Sequence, residues 1–529
     1  MFKILISDKL EKEGIDILTA GGQFAVDCKF GIPADELKRI IKDYDALIVR
    51  SGTQVTAEII EAADKLKVIG RAGVGLDNVD LTAATKKGIL AMNTPAGNTT
   101  STAEHTMSMI MALSRNIPQA VASLKSGKWE RSKFTGIELH GKILGIVGLG
   151  RIGSTVAKMA QAFGMTTIGY DPYLSLEIAA KNGIKIVELN EIYKTADYIT
   201  VHIPKTDETT HMIASEQIAL MKKTARLINC ARGGIIDEAA LIKALQDKRI
   251  AGAALDVYET EPPDFQSPLL KLDNCVVTPH LGASTSEAQL NVAIEIANAV
   301  KDALSGAGIR NAANFPSLSA EAFKAIEPYL SLAERMGKFA GQLVQGRIRE
   351  VVVTYSGAVA KEKVTAVTMA LAKGILTPIL LEEGVNNINS LNLMKERGIN
   401  IKEIISNQEG EYVNAIALDI ATEKEPFSLL GTLSSNKQPR IVKINNVYVE
   451  TVPEGHMLFI NNNDKPGIVG AIGTILASEN INIAAITLGR ENQQGVAVSV
   501  VNVDSQIPES VIEKLRKTKN ILFVKTIKV

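Results

Sequence analysis

The chain is poor in the residues that most often carry special structure, with three cysteines, one tryptophan and 4% aromatics among 529 residues. Cys28, Cys230 and Cys275 lie far apart and show no Cys-x-x-Cys or Cys/His spacing. Neither a disulfide framework nor a metal site is expected, and such usage suits a reducing compartment. Neither sign of charge is in excess, with 58 Lys+Arg against 58 Asp+Glu. That balance removes the global basic field that draws nucleic acid or an anionic membrane, while leaving room for a local cationic pocket. No apolar run approaches the roughly 18 residues of a membrane span. The opening MFKILISDKL is too short an apolar run for a signal peptide and lacks a small-residue cleavage pattern. The expectation is a cytoplasmic protein with neither a nucleic-acid nor a membrane partner.

What is present is length and periodicity. A chain of 529 residues exceeds one hydrophobic core, so about three or four domains are expected. Through residues 1–280 short apolar runs alternate with helical patterns, the βαβ signature of a parallel sheet. Lys3–Asp8, Ala46–Arg50, Lys67–Gly73 and Ile89–Asn93 read as strands, each ending in polar or glycine residues where open α/β sheets place their ligand crevice. Asn98 or a hydroxyl after it is expected to cap a long helix. Six further strands are predicted at Ile143–Val147, Thr167–Tyr170, Tyr198–Val201, Arg226–Asn229, Ala253–Val257 and Cys275–Thr278, the strand count of a complete dinucleotide-binding fold. Residues 284–305 read as a helix returning to the first domain. Residues 310–450 mix helices with strands such as REVVVTYSG and EYVNAIALDI and carry no chemical motif. The final residues run strand, helix, strand, strand, helix, strand, a small split-βαβ sandwich.

The most specific signal spans Lys142 to Asp171. Gly148-Leu-Gly150-Arg151-Ile152-Gly153 follows the apolar strand ILGIV and opens a helix with Ile152, Val156, Met159 and Phe163 on one face. Gly148 permits a tight turn, Gly150 lets backbone N–H groups approach a pyrophosphate, and Gly153 lets helix and strand pack closely. The helix N-terminus adds partial positive charge. Asp171 ends the next strand, where it accepts hydrogen bonds from ribose hydroxyls and repels a 2′-phosphate. The reading is a Rossmann unit that binds NAD rather than NADP.

Three polar residues stand at or just beyond successive strand ends. Arg232 follows RLIN, Glu261 follows ALDV, and His280 follows CVV. Hydride chemistry on a 2-hydroxy acid needs a cation to grip the carboxylate, which a planar guanidinium suits. It also needs a group that exchanges a proton near neutral pH, which is histidine. A carboxylate beside that histidine stabilises its imidazolium and fixes its tautomer, the role expected of Glu261. His202, ending VHIP, is the competing histidine. His105, His140, His211 and His456 have no evident acid partner and are expected to be structural.

With these residues assembled, the chain resembles the D-2-hydroxyacid dehydrogenases. The likeness covers residues 1–305 through GRAGVGLDNVD, NTPAGNTTSTAEH, GKILGIVGLGRIG, NCARGGIIDEAAL, GAALDVYETEPP and TPHLGAST. It implies catalytic roles for Arg232, Glu261 and His280. It implies cofactor contacts from Gly148, Gly150, Arg151, Ile152, Gly153, Asp171, His202, Pro204, Cys230, Asp256, His280 and Gly282. The resemblance also implies a Rossmann dinucleotide domain (98–282) inserted in a flavodoxin-like substrate domain (1–97 and 283–305). An α+β intervening domain (306–452), implied to have an allosteric role, and a βαββαβ domain (453–529) follow. The last resembles an ACT regulatory domain through Asn463-Asp-Lys-Pro-Gly-Ile-Val and Asn480-Ile-Asn-Ile-Ala-Ala.

Family members with this C-terminal arrangement imply NAD-dependent oxidation of 3-phospho-D-glycerate to 3-phosphohydroxypyruvate, the first step toward L-serine, by a homotetramer. A phosphorylated acid calls for extra cations. Arg50 and Arg71 sit at strand ends, while backbone N–H groups of Gly73, Val74 and Gly75, with Asn98 and Arg232, suit the carboxylate. Lys128, Arg131 and Lys133 around Trp129 add charge, implied to act across a subunit interface. An L-serine effector would map to Asp464 and Asn482 with Asn462 nearby, where some relatives carry histidine or tyrosine. Plain turn chemistry explains Asp464 and Asn482 equally well. The basic run Lys437, Arg440 and Lys443 suits either an anionic effector or an exposed strand edge. Two other readings stand beside this one: another hydroxyacid dehydrogenase, such as a glyoxylate or hydroxypyruvate reductase, and an NAD-sensing binding protein.

Overall fold

Alternating apolar runs and amphipathic helices in residues 1–305 fold into two parallel sheets whose central strands are buried on both faces. The computed structural model describes residues 1–380, 384–407, 411–492 and 495–529. The chain forms two compact units, one of Met1–Asn93 with Ile296–Val529 and the other of Thr94–Glu295.

In the first unit, β1 (Phe2–Ile6), β2 (Phe24–Cys28), β3 (Ala46–Val49), β4 (Val68–Arg71) and β5 (Leu90–Met92) form a parallel sheet of order β2-β1-β3-β4-β5. This is the flavodoxin-like order. Four strands were expected; β2 is the fifth, an edge strand in which only Phe24 is buried. The helix Ser286–Ser305 does return to this sheet, since a Cβ on Gly70 of β4 would stand 2.8 Å from Val300.

The second unit holds β6 (Ile143–Val147), β7 (Thr166–Tyr170), β8 (Lys185–Ile186), β9 (Tyr198–Val201), β10 (Arg226–Asn229), β11 (Gly252–Leu255) and β12 (Cys275–Val277). Their order, β12-β11-β10-β9-β6-β7-β8, reverses direction between β6 and β9. That reversal is where a doubly wound sheet opens its ligand crevice. The strand β8, two residues at the sheet edge, was not anticipated. The glycine-loop helix, Arg151–Ala162, buries Val156, Ala157 and Ala160. Phe163 departs from the expected buried face: it caps the helix C-terminus and is 45% exposed.

The remainder of the first unit contains β13 (Ile348–Ser356), β14 (Asn400–Ser406), β15 (Ala415–Thr422), β16 (Phe427–Leu433), β17 (Pro439–Ile444) and β18 (Val447–Thr451) in the order β14-β13-β15-β16-β17-β18. Its helices Ala320–Leu343 and Val364–Leu376 approach backbone to backbone, because a Cβ on Gly374 would fall 2.2 Å from the Glu334 carbonyl oxygen. The chain ends in β19 (His456–Asn463), helix Ile468–Ser478, β20 (Ile483–Arg490), β21 (Val496–Val503), helix Glu509–Arg516 and β22 (Ile521–Lys528), with antiparallel order β20-β21-β19-β22. This is the expected βαββαβ unit. One face of its sheet lies under its own helices through Leu458, Ile472, Leu476 and Leu515. The other face, with Met457, Phe459, Val500 and Ile527, merges into the core around Phe339 and Leu371. The Phe339 and Phe459 rings meet edge to face, 6.3 Å apart. Among the described residues no helix is long and apolar enough to cross a membrane, and no cluster of metal-ligating side chains occurs.

Candidate active site

The glycine loop between β6 and its helix has the shape that a dinucleotide requires. Gly148 adopts φ +92° and a Cβ there would strike the His202 carbonyl oxygen at 2.5 Å. A Cβ on Gly153 would lie 2.0 Å from the Gly148 carbonyl oxygen, so only glycine lets the helix start this close to the strand. Nothing lies within 4 Å of a Cβ built on Gly150, which leaves the open approach that a pyrophosphate needs above the helix N-terminus. Arg151 and Ile152 are the first helical residues. Asp171, just past β7, accepts hydrogen bonds from Leu149 N–H and Tyr173 N–H, both 2.9 Å, which ties its carboxylate to the loop. These features fit a nicotinamide dinucleotide.

His202 follows β9, with its N–H donated to the Val147 carbonyl at 2.7 Å and Nε2 3.0 Å from Thr200 Oγ1. Burial pushes its pKa down to about 4. It is therefore a neutral and weakly basic ring at pH 7, which disfavours it as the proton acceptor. Pro204 lies two residues on, in the same loop. Cys230, after β10, is buried, and burial with the nearby Asp256 charge pushes its thiol up to about 12.

His280 and Glu261 meet: Nδ1 of the imidazole lies 2.7 Å from Glu261 Oε2. A carboxylate only accepts, so Nδ1 carries the hydrogen and Nε2 is left with a free lone pair. The Glu261 hydrogen bond raises the His280 pKa against the opposing effect of burial. Burial pulls Glu261 upward, yet the bonds from His280 and the Tyr258 N–H (3.1 Å) hold it below the usual carboxylate range. An apolar recess of Tyr258, Pro262, Phe265 and Val277 adjoins the pair.

His280 has φ +55°, a left-handed conformation unusual for a residue with a Cβ. Its N–H donates to the Asp256 carbonyl at 2.9 Å. The Asp256 carboxylate, buried after β11, accepts Leu281 N–H at 2.7 Å and Gly282 N–H at 2.8 Å. Arg232 follows β10, where Asn229 shapes the turn by donating to the Arg232 carbonyl at 2.8 Å and accepting Ala231 N–H at 3.0 Å. The loops after β10 and β11 touch so closely that a Cβ on Gly233 would fall 1.6 Å from the Tyr258 carbonyl oxygen. The Arg232 charge reaches His280 and works to lower its pKa.

Two histidines contradict the expectation that they lack acids. His105 Nε2 stands 3.2 Å from Asp256 Oδ1, and His211 Nε2 lies 3.0 Å from Glu259 Oε1. Both pairs join residues more than 40 positions apart, which only the fold brings together.

In the first unit, Val49 pairs with Arg71, so Arg50 and Arg71 stand at neighbouring strand ends of one sheet. The Arg50 turn is held by two residues that sequence reasoning missed. Asp8 accepts Arg50 N–H at 2.6 Å and Thr53 N–H at 3.1 Å, while Asn78 donates to the Arg50 and Thr53 carbonyls at 2.7 and 2.6 Å. Gly73 donates its N–H to the Arg71 carbonyl at 2.9 Å, and the Val74 carbonyl accepts from Asn93. Asn98 belongs to the other unit and precedes the helix Thr99–Arg115 without a side-chain cap bond. Its buried Oδ1 finds no partner among the described residues. Trp129 is 82% exposed, with Lys128, Arg131 and Lys133 exposed around it.

In the terminal unit, Asn462 is buried and accepts from Ser499 Oγ at 3.3 Å. Asp464 pairs with Arg490 at 2.9 Å, and Asn482 donates to Asp504 at 2.7 Å. Lys437 occupies the turn before β17, and on that strand Arg440 lies 3.8 Å from Glu450.

Residues 107–282 match the NAD binding domain of the D-isomer specific 2-hydroxyacid dehydrogenases. Residues 325–445 match the D-3-phosphoglycerate dehydrogenase intervening domain, and residues 456–520 the ACT domain. A D-3-phosphoglycerate dehydrogenase of Methanocaldococcus jannaschii is 47% identical over 522 residues, covering 98% of each chain. One of Archaeoglobus fulgidus is 44% identical with the same coverage. A crystal structure of D-lactate dehydrogenase from Aquifex aeolicus, complexed with NAD and lactic acid, is similar at 30% identity and a TM-score of 0.52, over 59% of this chain and all of that one. The chain belongs to the D-3-phosphoglycerate dehydrogenases, within the D-isomer specific 2-hydroxyacid dehydrogenase family.

Proposed function

We propose that the chain oxidises 3-phospho-D-glycerate to 3-phosphohydroxypyruvate with NAD, the first step toward L-serine, using His280 as the proton acceptor. The observation that carries this reading is the 2.7 Å His280–Glu261 pair, which leaves Nε2 of a neutral imidazole free to take a hydroxyl proton. Bound NAD supplies the two-electron acceptor for the hydride that leaves C2. As the substrate hydroxyl loses its proton to His280 Nε2, Glu261 stabilises the imidazolium that forms. Arg232 grips the carboxylate and polarises the developing carbonyl. Arg50 and Arg71 take the phosphate, with backbone N–H groups of Val74 and Gly75 and the Asn98 side chain beside the carboxylate, while the Gly73 N–H is spent on the Arg71 carbonyl and shapes the loop. In this reading 1–97 with 283–305 binds substrate, 98–282 binds NAD, 306–452 intervenes, and 453–529 regulates.

The test is His280→Asn. Turnover with 3-phosphoglycerate is expected to fall by about two to four orders of magnitude, with only a modest loss of NADH binding read by fluorescence. Near-normal turnover would remove His280 from the role. Assaying 3-phosphoglycerate against glycerate, lactate and glyoxylate tests the substrate, and a preference for an unphosphorylated acid would refute the phosphate assignment of Arg50 and Arg71.

A homo-oligomer, proposed as a tetramer, is supported by the helix Ile117–Lys125, which buries none of its residues and exposes Ile117, Val121 and Leu124. An amino-acid effector such as L-serine is proposed at Asp464 and Asn482, where binding would replace their bonds to Arg490 and Asp504. The unpaired cysteines suit a cytoplasmic location.

A further inference from the structure

His105 belongs to the motif NTPAGNTTSTAEH and sits on the helix Thr99–Arg115. Its Nε2 stands 3.2 Å from Asp256 Oδ1 and 3.2 Å from Thr278 Oγ1. Asp256 is fully buried, and the turn that carries His280 is hung on it. Its carbonyl takes His280 N–H at 2.9 Å, and its carboxylate takes Thr278 Oγ1 at 2.6 Å, Leu281 N–H at 2.7 Å and Gly282 N–H at 2.8 Å. A buried carboxylate must be satisfied by donors. Three of these donors come from the turn itself, and His105 is the one that reaches in from another element. Thr278 gives its hydroxyl proton to Asp256, so its oxygen can only accept from His105, and the carboxylate also only accepts. The His105 proton is thereby fixed on Nε2.

We propose that His105 is a positioning residue for proton transfer at His280, acting through Asp256 and Thr278 to hold the left-handed His280 turn and to spread the Asp256 charge. The proposal rests on His280 being the proton acceptor. The charged groups facing His280 are Glu261, Asp256 and Arg232, of which the two carboxylates raise its pKa and the arginine lowers it. Asp256 is faced in turn by His105, with the Cys230 thiol and the Tyr258 phenol near it. Burial would raise Asp256, and donation from His105, Thr278 and Leu281 N–H holds it below the usual carboxylate range. Removing the His105 donor concentrates negative charge opposite His280, which favours the imidazolium.

The experiment compares His105→Leu, His105→Gln and His280→Asn in the full chain. A glutamine amide reaches about as far as imidazole Nε2 and restores a donor without a ring. In His105→Leu, kcat is expected to fall about tenfold with KM for 3-phosphoglycerate within about twofold. The midpoint pH for carbethoxylation of His280, followed by peptide mapping in the protein without added NAD, is expected to move up. His105→Gln should restore both. A folded His105→Leu with normal turnover, or one that loses turnover without moving the midpoint, overturns the proposal. If His280→Asn itself keeps normal turnover, the proton-acceptor reading fails instead, and the two failures are told apart.

Discussion

Replacing Glu261 by glutamine removes one charge while leaving an amide oxygen that still accepts the His280 Nδ1–H, so the imidazole keeps its tautomer and orientation. A charge-assisted hydrogen bond contributes about 1.5–3 kcal/mol and a neutral one about 1 kcal/mol. The His280 and Glu261 side chains are 49% and 38% exposed, so solvent screening places the pair at the low end of that range. The loss is then roughly 0.5 kcal/mol at the developing imidazolium, or about twofold in kcat. Its sign in pH follows from the groups that remain. His280 is raised chiefly by Glu261, and with that charge gone, burial and Arg232, which lower it, oppose only Asp256. With His280 as the proposed proton acceptor, oxidation would require its neutral ring, so the acid limb of kcat/KM would track His280 in the free enzyme and should move to lower pH. Initial rates with 3-phosphoglycerate and NAD across the acid limb would show it. A limb that stays in place, or moves up, refutes the view that Glu261 sets the proton affinity of His280.

Other substitutions probe other parts of the chain. Asp171→Ala should weaken NAD and improve relative use of NADP; because this carboxylate also holds Leu149 and Tyr173 N–H, NADH affinity should fall even where NADP gains, and an unchanged coenzyme preference would argue against a ribose role. Gly153→Ala forces a methyl against the Gly148 carbonyl oxygen, so NADH binding by fluorescence titration should weaken about tenfold or more, and normal binding would deny the close approach. Phe339→Ala empties a fully buried site and should destabilise the C-terminal part by about 3–5 kcal/mol in denaturant titration, whereas a loss confined to tenths would contradict the shared core.

Local chemistry at the glycine loop was legible because every step from strand to turn to helix is contiguous in sequence. The placement of Arg232, Glu261 and His280 beyond neighbouring strand ends, and the His280–Glu261 contact, were legible because parallel strands deliver their ends to one edge, while their catalytic roles stand as proposed. Strands β2 and β8 escaped notice because edge strands bury little: β2 has one buried residue and β8 has none. The acids beside His105 and His211 lay in other loops, and no periodicity reports a contact across 151 positions, from 105 to 256. The face of the terminal sheet that joins the intervening region was hidden for a related reason. Its alternation announces two apolar faces but not what covers the second.

That second face has a practical meaning. A chain cut before His456 would strip the cover from Phe339 and its neighbours and present a sticky surface to its surroundings, while the excised terminal piece would carry Phe459 and Val500 into water. Evolution could not exchange the last module for another without recutting the helix Ala320–Leu343 to match. The terminal sheet and the intervening region therefore share one packed core through Phe459, Val500, Phe339 and Leu371, with no solvent-filled seam at which a hinge could open between those side chains.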